Sequence, residues 1–119
     1  MFFSTSLYVK FSFKVPTALN KEFTWQIAFP ESHCWEARLA PNDDGSTQLR
    51  LLSNNKYDKP VWHETIDCET WYNIGVLVTA TSSQFYRSTN DDDLEKVGED
   101  TEAKCDVTKA DFQEHHWGY

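Results

Sequence analysis

Basic charge, glycine, paired cysteines and long apolar runs are all scarce in this sequence, and each shortage closes off a class of protein. Eleven Lys and Arg stand against nineteen Asp and Glu, for a formal net charge of −8. A chain so acidic repels the phosphates of nucleic acid and anionic membrane surfaces, so neither is an expected partner. Neutral glycans are compatible with that charge, because aromatic faces and hydrogen bonds hold them rather than ion pairs. The three cysteines, Cys34, Cys68 and Cys105, are widely spaced and form no CxxC pair, which argues against a structural zinc site. One disulfide with one thiol, or three thiols, fit the count equally. No apolar run approaches the roughly 20 residues of a membrane helix. The first residues do not read as a signal peptide either, since Lys10 and Lys14 interrupt any apolar core.

What the sequence does have is aromatic residues, 15% of its 119 positions, and alternation. The length suits one domain. From Leu7 to Val15 the odd positions are apolar and most even ones polar, the period of a strand with one face buried. Phe23, Trp25, Ile27 and Phe29 repeat the pattern, and Pro30 should end that strand. Further strands are predicted over Trp35–Leu39, Gln48–Leu52, Val61–Ile66, Trp71–Thr81 and Gln84–Ser88, with a turn at Asn42-Asp43-Asp44-Gly45. Asn90 to Asp106 reads as a solvated acidic loop with one helical turn near Leu94–Val97. Phe112 to Tyr119 reads as a last strand. Many short strands and no amphipathic helix predict an all-β fold, a β-sandwich or jelly roll.

Several segments, in order, resemble the catalytic domain of glycoside hydrolase family 131. Leu7–Val15 resembles a family strand of the same character. Phe23 to Ser32, ending Phe29-Pro30-Glu31-Ser32, resembles a strand closing in Phe-x-Glu-Ser. Thr70-Trp71-Tyr72-Asn73-Ile74-Gly75-Val76 is similar to a Trp-His-Asn-Phe-Ala-Val strand, and Gln84-Phe85-Tyr86-Arg87-Ser88-Thr89 to the Val-Phe-Tyr-Ser-Thr strand after it. Glu114-His115-His116-Trp117-Gly118-Tyr119 resembles Tyr-His-Phe-Gly-Leu. The resemblance implies a jelly-roll fold and a secreted, extracellular fungal β-glucanase, monomeric, acting on β-1,3-, β-1,6- and β-1,4-linked glucans without a cofactor. It implies that Glu31 is one of two catalytic carboxylates and that His116 lines the substrate cleft. The family's other glutamate, in an Arg-Arg-Ser-Glu-Leu motif, has no counterpart before Leu7. The family also continues past the histidine strand. Residues 1–119 are therefore expected to be a partial catalytic domain, truncated at both ends and weak or inactive alone. The alternatives are a non-catalytic glycan-binding jelly-roll module and a degenerate gene fragment.

Glycoside hydrolysis normally takes two carboxyl groups, one to protonate the leaving oxygen and one to attack or to activate water. Glu31 fits one such role, and an exposed acid at a strand end is the competing reading. Glu36 and Glu64 are the other acids considered, with nothing in the sequence to set them opposite Glu31. His33, Glu36, His63 and Glu64 repeat no metal-ligand spacing, so no metal is expected. Among the tryptophans, Trp25 is expected in the core. Trp35 and Trp62, near turns and polar loops, are the expected sugar-stacking platforms.

Overall fold

The computed structural model describes residues 6–15, 25–30, 34–54, 59–79, 82–102 and 115–117. Among the described residues it is all-β, with nine strands: β1 Ser6–Phe13, β2 Trp25–Pro30, β3 Trp35–Pro41, β4 Thr47–Ser53, β5 Trp62–Ile66, β6 Tyr72–Thr79, β7 Ser83–Thr89, β8 Glu95–Asp100 and β9 His115–Trp117. They form two antiparallel sheets, a four-stranded one in the order β1-β6-β7-β8 and a five-stranded one in the order β5-β4-β3-β2-β9. The two pack face to face as a β-sandwich of jelly-roll type. Pro30 ends β2, as its missing N–H requires. The Asn42–Gly45 turn links β3 to β4, with Gly45 at φ 92°, a backbone conformation that glycine adopts without a Cβ penalty.

The alternation read in the sequence is the alternation of burial. In β6 the even positions Tyr72, Ile74, Val76 and Val78 are buried, and across β1 they pair with Phe13, Phe11, Val9 and Leu7. From the other sheet Trp35, Ala37, Leu39, Leu49 and Leu51 complete one core with Phe85. Phe11 stacks on Trp35 across the sandwich at 6.3 Å between ring centroids, and Phe13 stacks on its cross-strand partner Tyr72 at 5.7 Å.

One expectation is overturned. Residues 95–100 are neither loop nor helical turn but the edge strand β8, paired with β7 through a bulge at Phe85/Tyr86. Its apolar signal is weak because an edge strand is held by backbone pairing and keeps its charges in water. Glu95, Lys96 and Glu99 are exposed, and only Val97 packs against the core. At Gly98 the strand meets the segment before β5. A Cβ there would lie 2.6 Å from Val61 Cγ1 and 3.1 Å from the Val61 carbonyl oxygen, so this approach demands glycine. Two polar contacts close the same side of the sandwich. Ser53 Oγ donates to Asp100 Oδ2 at 2.7 Å, and Arg87 Nε donates to Glu64 Oε1 at 2.9 Å.

Candidate functional site

Two segments that carry motif residues become neighbours in the five-stranded sheet. Short β9 pairs with β2 in the register Ala28↔Trp117, Phe29↔His116 and Pro30↔His115. His116 thus stands opposite the residue two before Glu31. Glu31 itself, with Ser32 and His33, lies outside the described residues.

The row that crosses Ala28 also crosses Ala37 of β3 and Leu51 of β4, three side chains of the core. One position further along lie Glu36 and its partner Leu52. Strand alternation turns these away from the core, onto the outward face. That face is nonetheless dry at this end, because Glu36 is only 2% exposed and its cross-strand partner Leu52 is buried beside it. Glu36 accepts a hydrogen bond from Arg38 Nε, two residues along the same side of β3. Arg38 pairs directly across the ladder with Arg50, whose buried Nε has no hydrogen-bond partner among the described residues. His63, opposite Arg50 on β5, is exposed and lies 3.4 Å from Gln48.

This outward face therefore gathers a buried carboxylate, two guanidinium groups and an imidazole, with β9 and its His116 at the sheet edge. Such groups can hydrogen-bond sugar hydroxyls and fix charge. No motif in the sequence marks Arg38 or Arg50, and none joins Glu36 to them. The available signal was period 2 within β3 and β4, which sets Glu36, Arg38 and Arg50 on the side opposite Ala37, Leu39 and Leu49. Of the residues weighed for a metal, Glu36 is engaged by Arg38 and Glu64 by Arg87. Among the described residues no three His, Cys, Asp or Glu side chains converge.

The two tryptophans expected at the glycan are placed differently. Trp35 is completely buried and stacked on Phe11, which leaves no ring face for a sugar. Its position next to a turn suggested exposure, but its pairing with Ser53 sets it on the core face of β3. Trp62 is half-buried and packs against the core. Trp71, by contrast, is 49% exposed. The Trp25 side chain is not described.

Comparison with known proteins decides the family. The sequence model of the glycoside hydrolase 131 catalytic N-terminal domain matches residues 5–119. The chain belongs to glycoside hydrolase family 131. Two solved structures share the fold, a GH131 beta-glucanase catalytic domain from Podospora anserina and the catalytic domain of the glycoside hydrolase family 131 protein from Coprinopsis cinerea. Each superposes with a TM-score of 0.76 at 21% identity, over 96% of this chain and 48% of the other. The chain thus spans about half the length of these family 131 structures. No curated protein matches it.

Proposed function

We propose that this family 131 chain is part of a β-glucan-hydrolysing catalytic domain, with Glu31 as one of its two catalytic carboxyl groups and His116 lining the cleft. The match of the family model over residues 5–119 carries this reading. The substrate class follows the solved relative described as a beta-glucanase, and the resemblance adds β-1,3, β-1,6 and β-1,4 linkages. The β2–β9 pairing supports it, since it sets His116 in register with the strand that leads into Glu31. Extracellular action by a single copy belongs to the same proposal. The reaction needs a second carboxyl group across the scissile bond, about 5 Å away in a retaining enzyme and about 6.5–9.5 Å in an inverting one. Glu36 is a weak candidate for it, because Arg38 already engages its carboxylate. Residues 1–119 are therefore proposed to release sugar only slowly.

The test is reducing-sugar release from soluble β-glucans, with excess protein and long incubation. The slow release should fall about 10²–10⁴-fold in Glu31→Gln, the scale of one acid–base group. Undiminished release would remove Glu31 from the mechanism. Glucan affinity with no release at any concentration would favour a binding module.

A further inference from the structure

The outward face of the four-stranded sheet carries a groove lined in part by Trp71 and Asn73 of a strand motif and by none of the residues proposed for hydrolysis. It begins at Trp71, where a hollow of about 340 Å3 is bounded by Trp71, Ser12, Asn73, Asn90 and Asp91. It continues into a second hollow of about 390 Å3 that shares Ser12, Asn73, Asn90 and Asp91 and reaches Lys10. Both volumes lie within the roughly 300–1,000 Å3 of small-ligand sites.

The floor of the groove is fixed before any ligand arrives. Ser12 Oγ donates to Asn73 Oδ1 at 2.6 Å, and Asn73 Nδ2 donates to Ser88 Oγ at 3.0 Å and to the Asn90 carbonyl at 2.9 Å. Asn90, at φ 50°, ties the turn after β7 to the indole-bearing residue. Its N–H donates to the Trp71 carbonyl at 2.8 Å, and its Oδ1 accepts from the Trp71 N–H at 3.3 Å. Lys14 Nζ lies 5.4 Å from the Trp71 ring centroid and steadies the ring. A large aromatic is thus held half in water beside amides, a hydroxyl and a carboxylate. An exposed tryptophan in so ordered a setting presents a flat apolar surface with polar groups at its rim, which matches a pyranose ring and its hydroxyls.

We infer that this groove is a second glycan-binding site, taking a short segment of neutral β-glucan with one sugar ring on Trp71 and its hydroxyls bonded to Asn90 and Asp91. The exposed acids Asp91, Asp92 and Asp93 can accept from hydroxyls and repel polyanions, which favours a neutral polysaccharide over an acidic one. The groove faces away from the sheet that carries Glu36 and β9, so one glucan chain can anchor here while another reaches the opposite face. The inference takes its ligand class from the proposed function but requires no hydrolysis.

Affinity electrophoresis through gels containing soluble neutral β-glucan separates the two readings. The chain should be retarded, and Trp71→Ala should bind about two- to tenfold more weakly, the scale of one aromatic contact. Asn90→Gly, which keeps the positive-φ backbone and removes the amide, should weaken binding in the same direction. Glu31→Gln should keep a retardation that depends on Trp71, whatever the opposite face contributes. Absence of retardation in the unaltered chain, or retardation unchanged in folded Trp71→Ala and Asn90→Gly, overturns the second site. Loss of retardation in Glu31→Gln alone would place all binding at the other face and overturn it as well.

Discussion

The outward faces of the two sheets handle polarity in opposite ways. On the four-stranded sheet Ser12, Asn73 and Ser88 form a neutral hydrogen-bonded row that runs from the exposed Ser12 to the buried Ser88. On the five-stranded sheet the groups are charged and partly dry, with Glu36 buried against Arg38 while Arg50 lies opposite. Burying an ion pair is justified energetically only when geometry and further hydrogen bonds offset the desolvation of both charges. Neutral groups desolvate no charge. The first face is therefore suited to weak, exchangeable contacts with hydroxyls, and the second to a fixed electrostatic arrangement.

Removing one member from each face should expose that difference. Arg38→Ala leaves the Glu36 carboxylate buried without this partner, and should cost about 3 kcal/mol, the low end for breaking a buried pair because Arg38 is one-fifth exposed. Asn73→Ala removes three side-chain hydrogen bonds of neutral, mostly part-exposed groups and should cost less, about 1–2 kcal/mol. Urea unfolding of the two variants measures both, and equal losses would break the comparison. Gly98→Ala tests the side where the sheets meet. The new Cβ would collide with Val61, and we expect a loss of about 1–3 kcal/mol in the same assay. A neutral outcome would mean that β8 can shift without cost.

The smallest effect concerns the interior between the faces. Burial pushes the Tyr72 phenol above its ordinary value, helped by the charges of Asp67 and Glu64 and opposed by the Asp67 N–H bond and by Arg87. The folded state then holds the proton more tightly than the unfolded chain. That contribution is complete below about pH 10 and is lost as pH rises through the folded value. Thermal unfolding between about pH 9 and 11 should show a decline that Tyr72→Phe reduces, and an identical decline in both proteins would argue that Tyr72 does not sense its burial.

Much of the architecture was legible because strands with one buried face write themselves as alternation. Val76 and Val78 are in the core for the reason the sequence suggested. Where a strand is held by its backbone rather than by burial the pattern fades, and β8, charged on its exposed edge, read as a loop. The tryptophans show a sharper limit. Proximity to a turn suggested exposure for Trp35, which is fully buried, because exposure depends on which pleat a residue occupies and on what the opposite sheet covers.

The sequence by itself determined the all-β class, the period of the core and, through ordered motifs, the glycoside hydrolase 131 family. Those properties are local or follow chain order. Only the tertiary structure decided that β9 lies beside β2, that Glu36 is dry and held by Arg38, and that Trp71 rather than Trp35 meets solvent. The pairing and the exposures depend on strands distant in the chain, whereas the Glu36–Arg38 contact lies within β3, and nothing in a single strand's alternation records which partner will cover its second face.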